Sequence, residues 1–576
     1  MDHPPRICKL VALVVLAALI AGACTDEVEV PSPSGALQRF ADAWQQNDAA
    51  AMIEGFDETS AAAWSQSELQ KWLDETLAAG GIESFVVDPG KAPLPEVESE
   101  EELEGLETNV PYTLTYVSTA AADPVELKGE LPLTLTGPGE WRVAWSEAAM
   151  WPGIEEAAGF AIDVKRPKRG AIVDRGGKTL AKGAAGSRRY PFGSVGGSTI
   201  GHIEPVSKKD ADDVHPRGDL VGASGLEEGF EDLLTASSGG DLLVVDGTGD
   251  KLEVLGSAKS GKPKDVKVTL DIDIQRAAEN AYGSTVGGAV VIDPQNGDLL
   301  AVVSSSAFDP NNYVGIPDIE PFNRALSGTY PPGSSMKVVT ASAALDTGTV
   351  KASSTVTGPK EYKGVHNFES GEYGSISFAT ATQNSVNTAF AQIAEELGAR
   401  TMTKYAERFG FNREPTMPLD AATPSFPVPE DLTDLMWGSI GQAQVLATPL
   451  QMATVAATVA NDGVRMEPRI LKDDPVEGTK AMSKKSAHTM TDLMESVVTG
   501  GTGTAANLGT PTVAGKTGTA EVFVDGGIKN HAWFVCFAPS DDPEIAVAVV
   551  SELGGVGGQV AAPLARQILQ AVLPLT

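Results

Sequence analysis

The chain has little of what disulfide frameworks and metal sites are made from. Of its 576 residues only three are cysteine, Cys8, Cys24 and Cys536, and six are histidine. Beyond a single Cys24–Cys536 pair no disulfide framework is possible. Cys536, alone in an apolar stretch, reads as a small buried hydrophobe. The histidines, His3, His202, His215, His366, His488 and His531, show no H-x-H or H-E-x-x-H spacing, which argues against zinc chemistry. His531 precedes an apolar run and reads as structural. Positive charge is scarce too: 43 Lys and Arg face 77 Asp and Glu, a net charge of −34 at pH 7. That balance argues against a nucleic-acid partner, because phosphate binding needs a basic face. After residue 24 no run stays apolar for the roughly 18 residues that a membrane helix needs.

The N-terminus is where apolar residues do collect. Arg6 and Lys9 precede an apolar run over residues 10–23, short for a membrane span and suited to an export signal. The run ends Ala21-Gly22-Ala23-Cys24 and turns polar at Thr25-Asp26-Glu27. A cysteine directly after small residues resembles a bacterial lipobox, in which Cys24 would carry the lipid, although Ala21 stands where leucine is usual. Ordinary cleavage after Ala23 and an uncleaved anchor are the other two options. A Pro/Ser-rich tether completes residues 24–34.

Next, Leu37, Phe40, Ala41 and Trp44 share one face of a predicted helix with Ser34 as its cap. Helix continues through Trp64, Leu69 and Trp72. Residues 96–107 are densely acidic and read as a solvated loop. Alternation then predicts strands over residues 112–117, 131–135 and 141–145. Asn296-Gly297 between apolar runs predicts a hairpin. Two strands early (288–293 and 298–304), three late (513–523, 531–538 and 544–551), a helical stretch over 378–464 and a last helix over 561–573 predict helices on both sides of a five-stranded antiparallel sheet.

The stretch that carries chemistry is Tyr330-Pro331-Pro332-Gly333-Ser334-Ser335-Met336-Lys337. Proline and glycine before a helical run, with serine at the junction, signal a helix start. One turn on, Lys337 shares the face of Ser334. A serine hydroxyl needs a base to take its proton, and a lysine can do so only when neutral. Its pKa must then fall by several units from about 10.4, through burial or a neighbouring cation. Alone, such a tetrad is commonplace, and Ser334 would be only a helix cap. It is, however, the chain's one S-x-x-K, followed by its one S-x-N, Ser385-Val386-Asn387, and its one K-T-G, Lys516-Thr517-Gly518.

That ordered trio resembles the penicilloyl serine transferases, the penicillin-binding proteins and serine β-lactamases. Lys168-Arg169-Gly170-Ala171-Ile172-Val173-Asp174-Arg175 and Gly222-Ala223-Ser224-Gly225-Leu226-Glu227 resemble the pedestal, or dimerisation, domain of class B penicillin-binding proteins, with Asp174, Arg175 and Glu227 as structural braces. Gly441-Gln442-Ala443-Gln444 through Ala453 matches the same family. Helices followed by a curled sheet before residue 152 resemble the NTF2-like leader of its low-affinity, methicillin-resistance type. The resemblance implies a multidomain α+β chain. It would comprise an export segment 1–23, the tether 24–34, an NTF2-like domain 35–152, a β-rich pedestal 155–264 and an α/β/α transpeptidase domain 266–576.

It also implies roles. Ser334 would attack the carbonyl between two D-alanines of a peptidoglycan stem peptide, with Lys337 as base and Ser385 relaying a proton to the leaving amine. Lys516 would add positive charge beside Lys337 and attract the substrate carboxylate, and Thr517 would bond that carboxylate. Asn387 would hold a substrate amide, and Gly518 would let substrate lie along the strand. The N–H groups of Ser334 and Thr519 would form the oxyanion hole. No cofactor or metal is implied. The partners would be stem peptides, β-lactams, the membrane through the N-terminal anchor, and a glycosyltransferase of the wall-synthesis machinery, at the extracytoplasmic face of the cell membrane. A serine β-lactamase or D,D-carboxypeptidase carries the same three motifs. A β-lactam-sensing or scaffolding penicillin-binding protein is the third reading.

Overall fold

The computed structural model describes residues 28–576 apart from 138, 166–167, 208, 210–218, 237–238, 306 and 314–321. The export segment 1–23, Cys24 and the rest of the tether up to residue 27, and His215 lie outside the described residues. Contacts divide the chain into two compact units, Met1–Arg166 with Ser238–Ser260, and Pro167–Ser237 with Gly261–Thr576.

In the first unit, the helical spacing of Leu37, Phe40, Ala41 and Trp44 buries all four on helix α1 (Ser34–Gln45). The cap expected from Ser34 does not form. Pro33 holds the N-cap position with helical angles, and the Ser34 hydroxyl pairs with Ser32 instead. Helix α2 (Gln66–Ala79) starts with a capping box between Ser65 and Glu68. A four-stranded antiparallel sheet packs on these helices: β1 (Ile82–Pro89), β2 (Glu107–Ser118), β3 (Val125–Thr136) and β4 (Glu140–Val143), in that order. Strand β1 buries only Phe85 and Val87 fully, so its sequence carries too weak an alternation to announce a strand. The glutamates between 96 and 107 are exposed around one 3-10 turn, as a solvated segment should be. A second sheet, β5 (Gly159–Lys165), β6 (Gly239–Val245) and β7 (Lys251–Ala258), has β6 in the middle. It adds Phe160, Leu242 and Val244 to the same apolar core.

The second unit opens with a brace. Glu227 is fully buried and takes Arg169 Nε at 2.8 Å and Arg188 Nε at 2.7 Å, while Arg169 also reaches Glu231 at 2.8 Å. Asp174 accepts the backbone N–H of Lys178 at 2.7 Å, and the Arg175 N–H bonds Leu270 O at 2.9 Å. The Asp174 carboxylate is thus used structurally, as expected, while the Arg175 bond is one of backbone alone.

Beyond helix α3 (Ile272–Tyr282), strands β8 (Gly287–Ile292) and β9 (Leu299–Ser304) form the hairpin expected at Asn296-Gly297. Asp293 ties the turn through Asn296 Nδ2 at 2.7 Å, and Gly297 sits at φ +78. Helices α4 (Lys337–Thr347), α5 (Phe378–Gln383), α6 (Asn387–Leu397), α7 (Pro449–Ala460) and α8 (Lys484–Gly500) follow. The chain then returns to the sheet as β10 (Ala514–Val524), β11 (Gly527–Ala538) and β12 (Ile545–Ser551), and ends in α9 (Ala561–Val572). The five strands run in the order β9-β8-β12-β11-β10, all antiparallel. Alternate residues feed two cores: Phe534, Cys536 and Val547 pack with α3 and α9, while Trp533, Val535 and Ala548 pack with α4 and α7. Burial pushes the Cys536 thiol far above its usual range, as suits a hydrophobe. His531 accepts the Leu553 N–H at 3.1 Å. Among the described residues no helix is long and apolar enough to cross a membrane.

Because Glu227 neutralises two buried guanidinium groups, Glu227→Gln leaves charge uncompensated. We expect a loss of about 3–5 kcal/mol in the unfolding of the second unit by denaturant. A loss under about 1 kcal/mol, the range of a solvated pair, would refute the brace.

Candidate active site

The nucleophile turn is held by backbone. Tyr330 and Ala447 exchange two N–H to O bonds of 2.9 Å, and Trp533 Nε1 on β11 donates to Pro331 O at 2.9 Å. Gly333 then turns left-handed, φ +52, and a Cβ there would meet Thr519 O at 2.6 Å. Its N–H bonds Gly441 O at 2.9 Å. Gly441, φ +76, in turn leaves no room for a Cβ, which would fall 2.1 Å from Gly333 O. Only glycines allow backbone to approach backbone this closely.

Gly333–Met336 forms a 3-10 turn that runs into α4. Ser334 lies within this turn and not at its cap, since Pro332 takes the cap position without a side-chain bond. Ser334 is thus not a helix cap. The Ser334 hydroxyl is half-buried and has no hydrogen-bond partner among the described residues, whereas neighbouring Ser335 spends its hydroxyl on Pro332 O at 2.5 Å. The nucleophile candidate is the one left unengaged.

Lys337 opens α4 and is 1% exposed. Its Nζ meets Asn387 Oδ1 at 2.5 Å, Ser385 O at 2.7 Å and Ser385 Oγ at 3.1 Å, and lies 5.3 Å from the ring centre of Phe390. Ser385 stands in the short loop between α5 and α6 at φ +56, a left-handed serine. Such a conformation costs roughly 1–2 kcal/mol. It is held by Ser385 N to Thr382 O at 3.1 Å and Val386 N to Ala381 O at 2.9 Å. Strain of this kind gathers at functional sites, where the surroundings dictate it.

From β10, Lys516, fully buried, reaches the same hydroxyl: Nζ to Ser385 Oγ is 2.9 Å and to Thr517 O 3.0 Å. Burial pulls Lys516 down to about 7. Lys337 falls well below its ordinary value, through burial first and the Lys516 charge second. A neutral amine has two N–H donors and one lone pair. The contacts of Lys337 match that count: two carbonyl oxygens to receive its hydrogens and one hydroxyl to offer a proton to its lone pair. Ser385 Oγ, with one hydrogen and two lone pairs, can accept from Lys516 and donate to Lys337 at once.

β10 is the edge of the sheet. A strand residue turns its N–H and C=O to the same side. Thr517 O meets Lys516 Nζ and Thr519 O faces Gly333, so both threonines direct their backbone outward to the nucleophile turn. Gly518 has an internal reason to be glycine: a Cβ would meet Pro332 O at 2.6 Å and Ser335 Oγ at 2.8 Å. Asn387 is also tied inward, Oδ1 to Lys337 and Nδ2 to His366 O at 2.9 Å. The structure therefore joins Lys337, Ser385, Asn387, Lys516 and Thr517 in one network and sets Ser334, Gly518 and Thr519 at its mouth. Cys24 lies outside the described residues.

Three contributors lie outside the S-x-x-K, S-x-N and K-T-G motifs. Thr502 pairs its hydroxyl with Thr517 Oγ1 at 2.6 Å, but sits in Gly500-Gly501-Thr502-Gly503, which reads only as a turn. Phe390 is one more apolar position of α6. Gly441 belongs to the matched stretch 441–453, where nothing foretold its contact with Gly333. Among the described residues no group of three or more His, Cys, Asp or Glu could hold a metal ion.

Comparison with known proteins agrees with this geometry. Residues 287–570 match a family model for the penicillin binding protein transpeptidase domain, 183–268 one for the penicillin-binding protein dimerisation domain, and 32–158 one for the NTF2-like N-terminal transpeptidase domain. Peptidoglycan D,D-transpeptidase MrdA of Acinetobacter baumannii is 30% identical over 441 residues, 66% of this chain and 65% of MrdA. The chain thus spans a little under two thirds of that relative. Peptidoglycan D,D-transpeptidase PbpA of Mycolicibacterium smegmatis is 34% identical over 357 residues, 54% of this chain and 72% of PbpA. Among solved structures, the D,D-transpeptidase domain of a peptidoglycan glycosyltransferase from Eggerthella lenta superposes with TM-score 0.59 at 30% identity, covering 71% of this chain and 99% of that one.

The Lys516 amine has a testable cost. Its pKa falls from 10.5 unfolded to about 7 folded. Between these values the unfolded chain holds the proton and the folded one does not, so the lysine's contribution to stability rises with pH across that window. Lys516→Met should therefore stabilise the second unit at pH 6.5, by about 1–4 kcal/mol, with the gain shrinking towards pH 10. Calorimetry at the two pH values decides, and an equal gain at both would contradict a weakly basic buried amine.

Proposed function

The chain belongs to the class B penicillin-binding proteins, and from that premise we propose that it is a peptidoglycan D,D-transpeptidase working through a Ser334 acyl-enzyme. The observation that carries the proposal is the single hydroxyl of Ser385 bridging two buried lysines beside an unengaged serine.

Ser334 Oγ attacks the penultimate D-alanine carbonyl of a stem peptide as its proton passes to neutral Lys337. The oxyanion lies between the N–H groups of Ser334 and Thr519, each donor of this kind contributing about 10²–10³ in rate. The peptide bond breaks, the terminal D-alanine leaves, and its amine takes the proton through Ser385. An acceptor amine of a second stem peptide then attacks the ester, returns a proton to the lysine network and regenerates the Ser334 hydroxyl.

Lys516 and Thr517, with Thr502 behind it, take the donor carboxylate. The open edge of β10 lets the donor pair as an added strand. Asn387 serves first to hold Lys337, and one Nδ2 hydrogen remains for a substrate amide. β-Lactams enter the same acylation and stop there because water reaches the ester slowly. We further read Cys24 as a lipid anchor that holds the enzyme at the extracytoplasmic face, beside a glycosyltransferase that supplies glycan strands, with low β-lactam affinity as a property of the NTF2-like leader type.

Labelling with fluorescent penicillin, followed over hours with the adduct mapped by mass spectrometry, should give a lasting adduct on Ser334. Ser334→Ala should abolish it, and Lys337→Ala should slow it by about 10²–10⁴, the range of a lost general base. A label that forms and clears quickly would instead identify a β-lactamase. Failure to release D-alanine from a donor stem peptide in the presence of an acceptor would sink the transpeptidase reading.

A further inference from the structure

The β10–β11 hairpin reaches past the lysine network. Beyond Thr519 its strands stay paired, Glu521 with Asn530, Val522 with Lys529, Phe523 with Ile528 and Val524 with Gly527, in a register without a bulge. β10 is the outermost strand of the sheet, and among the described residues no strand pairs with its other side. Thr517 and Thr519 turn their backbone to that side, so Glu521 and Phe523, two and four residues further on, do the same. Proteins blunt such open edges with lysine, proline, a bulge or a cover. From Thr517 to Val524 this edge has none of the first three, and its only charge is Glu521.

The second observation concerns side chains. Phe523 is 77% exposed and Ile528 69%, the two most exposed large hydrophobic side chains among the described residues. They are also direct partners across the hairpin. Because Phe523 turns its backbone outward, the two form a non-hydrogen-bonded pair, in which side chains come closest. Scattered single hydrophobics are ordinary on a surface, but this pair makes one apolar patch at the end of the open edge.

We propose that the edge from Glu521 to Phe523, with the Phe523–Ile528 patch, binds the sugar-proximal part of the donor: the stem residues before the scissile bond and the muramyl sugar that carries them. The inference rests on the donor site proposed above. Polarity gives the direction. With the terminal carboxylate at Lys516 and Thr517 and the scissile carbonyl at Thr519, an antiparallel donor strand runs its preceding residues past Glu521 towards Phe523. Length agrees. At about 3.3 Å per residue the stretch from Thr519 to Phe523 covers about 13 Å, the reach of about four extended residues. That brings the lactyl ether and the sugar onto Phe523 and Ile528, where the C–H faces of the sugar meet a phenyl ring and an aliphatic side chain. A short D-alanyl-D-alanine mimic stops before the patch, so the arm selects donors attached to glycan.

The test is calorimetric titration of the full chain carrying Ser334→Ala, which cannot be acylated. The probes are a lysine-containing disaccharide pentapeptide and Nα,Nε-diacetyl-lysyl-D-alanyl-D-alanine, which share the reacting end. The disaccharide pentapeptide should bind about tenfold or more tighter. Adding Phe523→Ser/Ile528→Ser should remove about fivefold or more of that advantage. Affinity for the tripeptide should stay as it was, which shows that the site is folded. Glu521→Pro deletes an edge-facing N–H, at a position where a strand tolerates proline. Relative to Glu521→Ala it should weaken the long probe by about threefold or more. Should the double variant bind neither probe, the Glu521 comparison decides alone. Equal affinity of the two probes, or an advantage that survives these changes, would overturn the proposal. So would light scattering that finds a wild-type dimer abolished by Phe523→Ser/Ile528→Ser, which would give the edge to a second copy. Binding is read here without chemistry, so a missing penicillin label on Ser334 would sink the acyl-enzyme reading and leave this comparison standing.

Discussion

Two buried amines set the terms for the transpeptidase domain. Removing an ammonium from water is among the costliest operations in a fold, and a protein that buries two of them must hold at least one uncharged. Lys337 yields first, because it is buried and because Lys516 stands across the same hydroxyl. The uncharged state is useful only if its lone pair is aimed. The carbonyls of Ser385 and Asn387 do the aiming by consuming the two N–H donors and turning the lone pair towards the Ser385 hydroxyl. A base is thus made from geometry and burial.

Keeping that site dry dictates what surrounds it. The nucleophile turn is pressed against β10 so closely that Gly333, Gly441 and Gly518 leave no space for a methyl group. The five-stranded sheet supplies the flat wall against which this is possible, and Trp533 pins the proline approach to the turn. Ser385 keeps its strained angle because the ends of α5 and α6 bond the residues on either side of it.

How far the sequence foretells this depends on whether a signal is local. The three motifs are legible because each is a short run with its own chemistry, and so are the hairpin at Asn296-Gly297 and the five antiparallel strands, though not their order in the sheet. The spacing names Ser34 as a cap, but Pro33 takes that position and the Ser34 hydroxyl pairs with Ser32. β1 escaped notice because only Phe85 and Val87 mark its inner face. Thr502 and Phe390 were invisible for a deeper reason. Their meaning comes from a partner at the far end of a tertiary contact, Thr517 and Lys337, and a glycine-rich turn or an apolar helix position looks alike with or without one. The reason for glycine at 518 likewise lies in the Pro332 carbonyl, which no spacing rule brings near.

The path of the chain through the first unit bears on how such proteins can be rearranged in evolution. The strands at 239–245 and 251–258 share a core with the leader helices, although some seventy residues that fold elsewhere intervene. A gene that lost its first 152 codons would leave Phe160, Leu242 and Val244 without the apolar surface they fold against. Shuffling the leader onto another transpeptidase would need two separate stretches to move together.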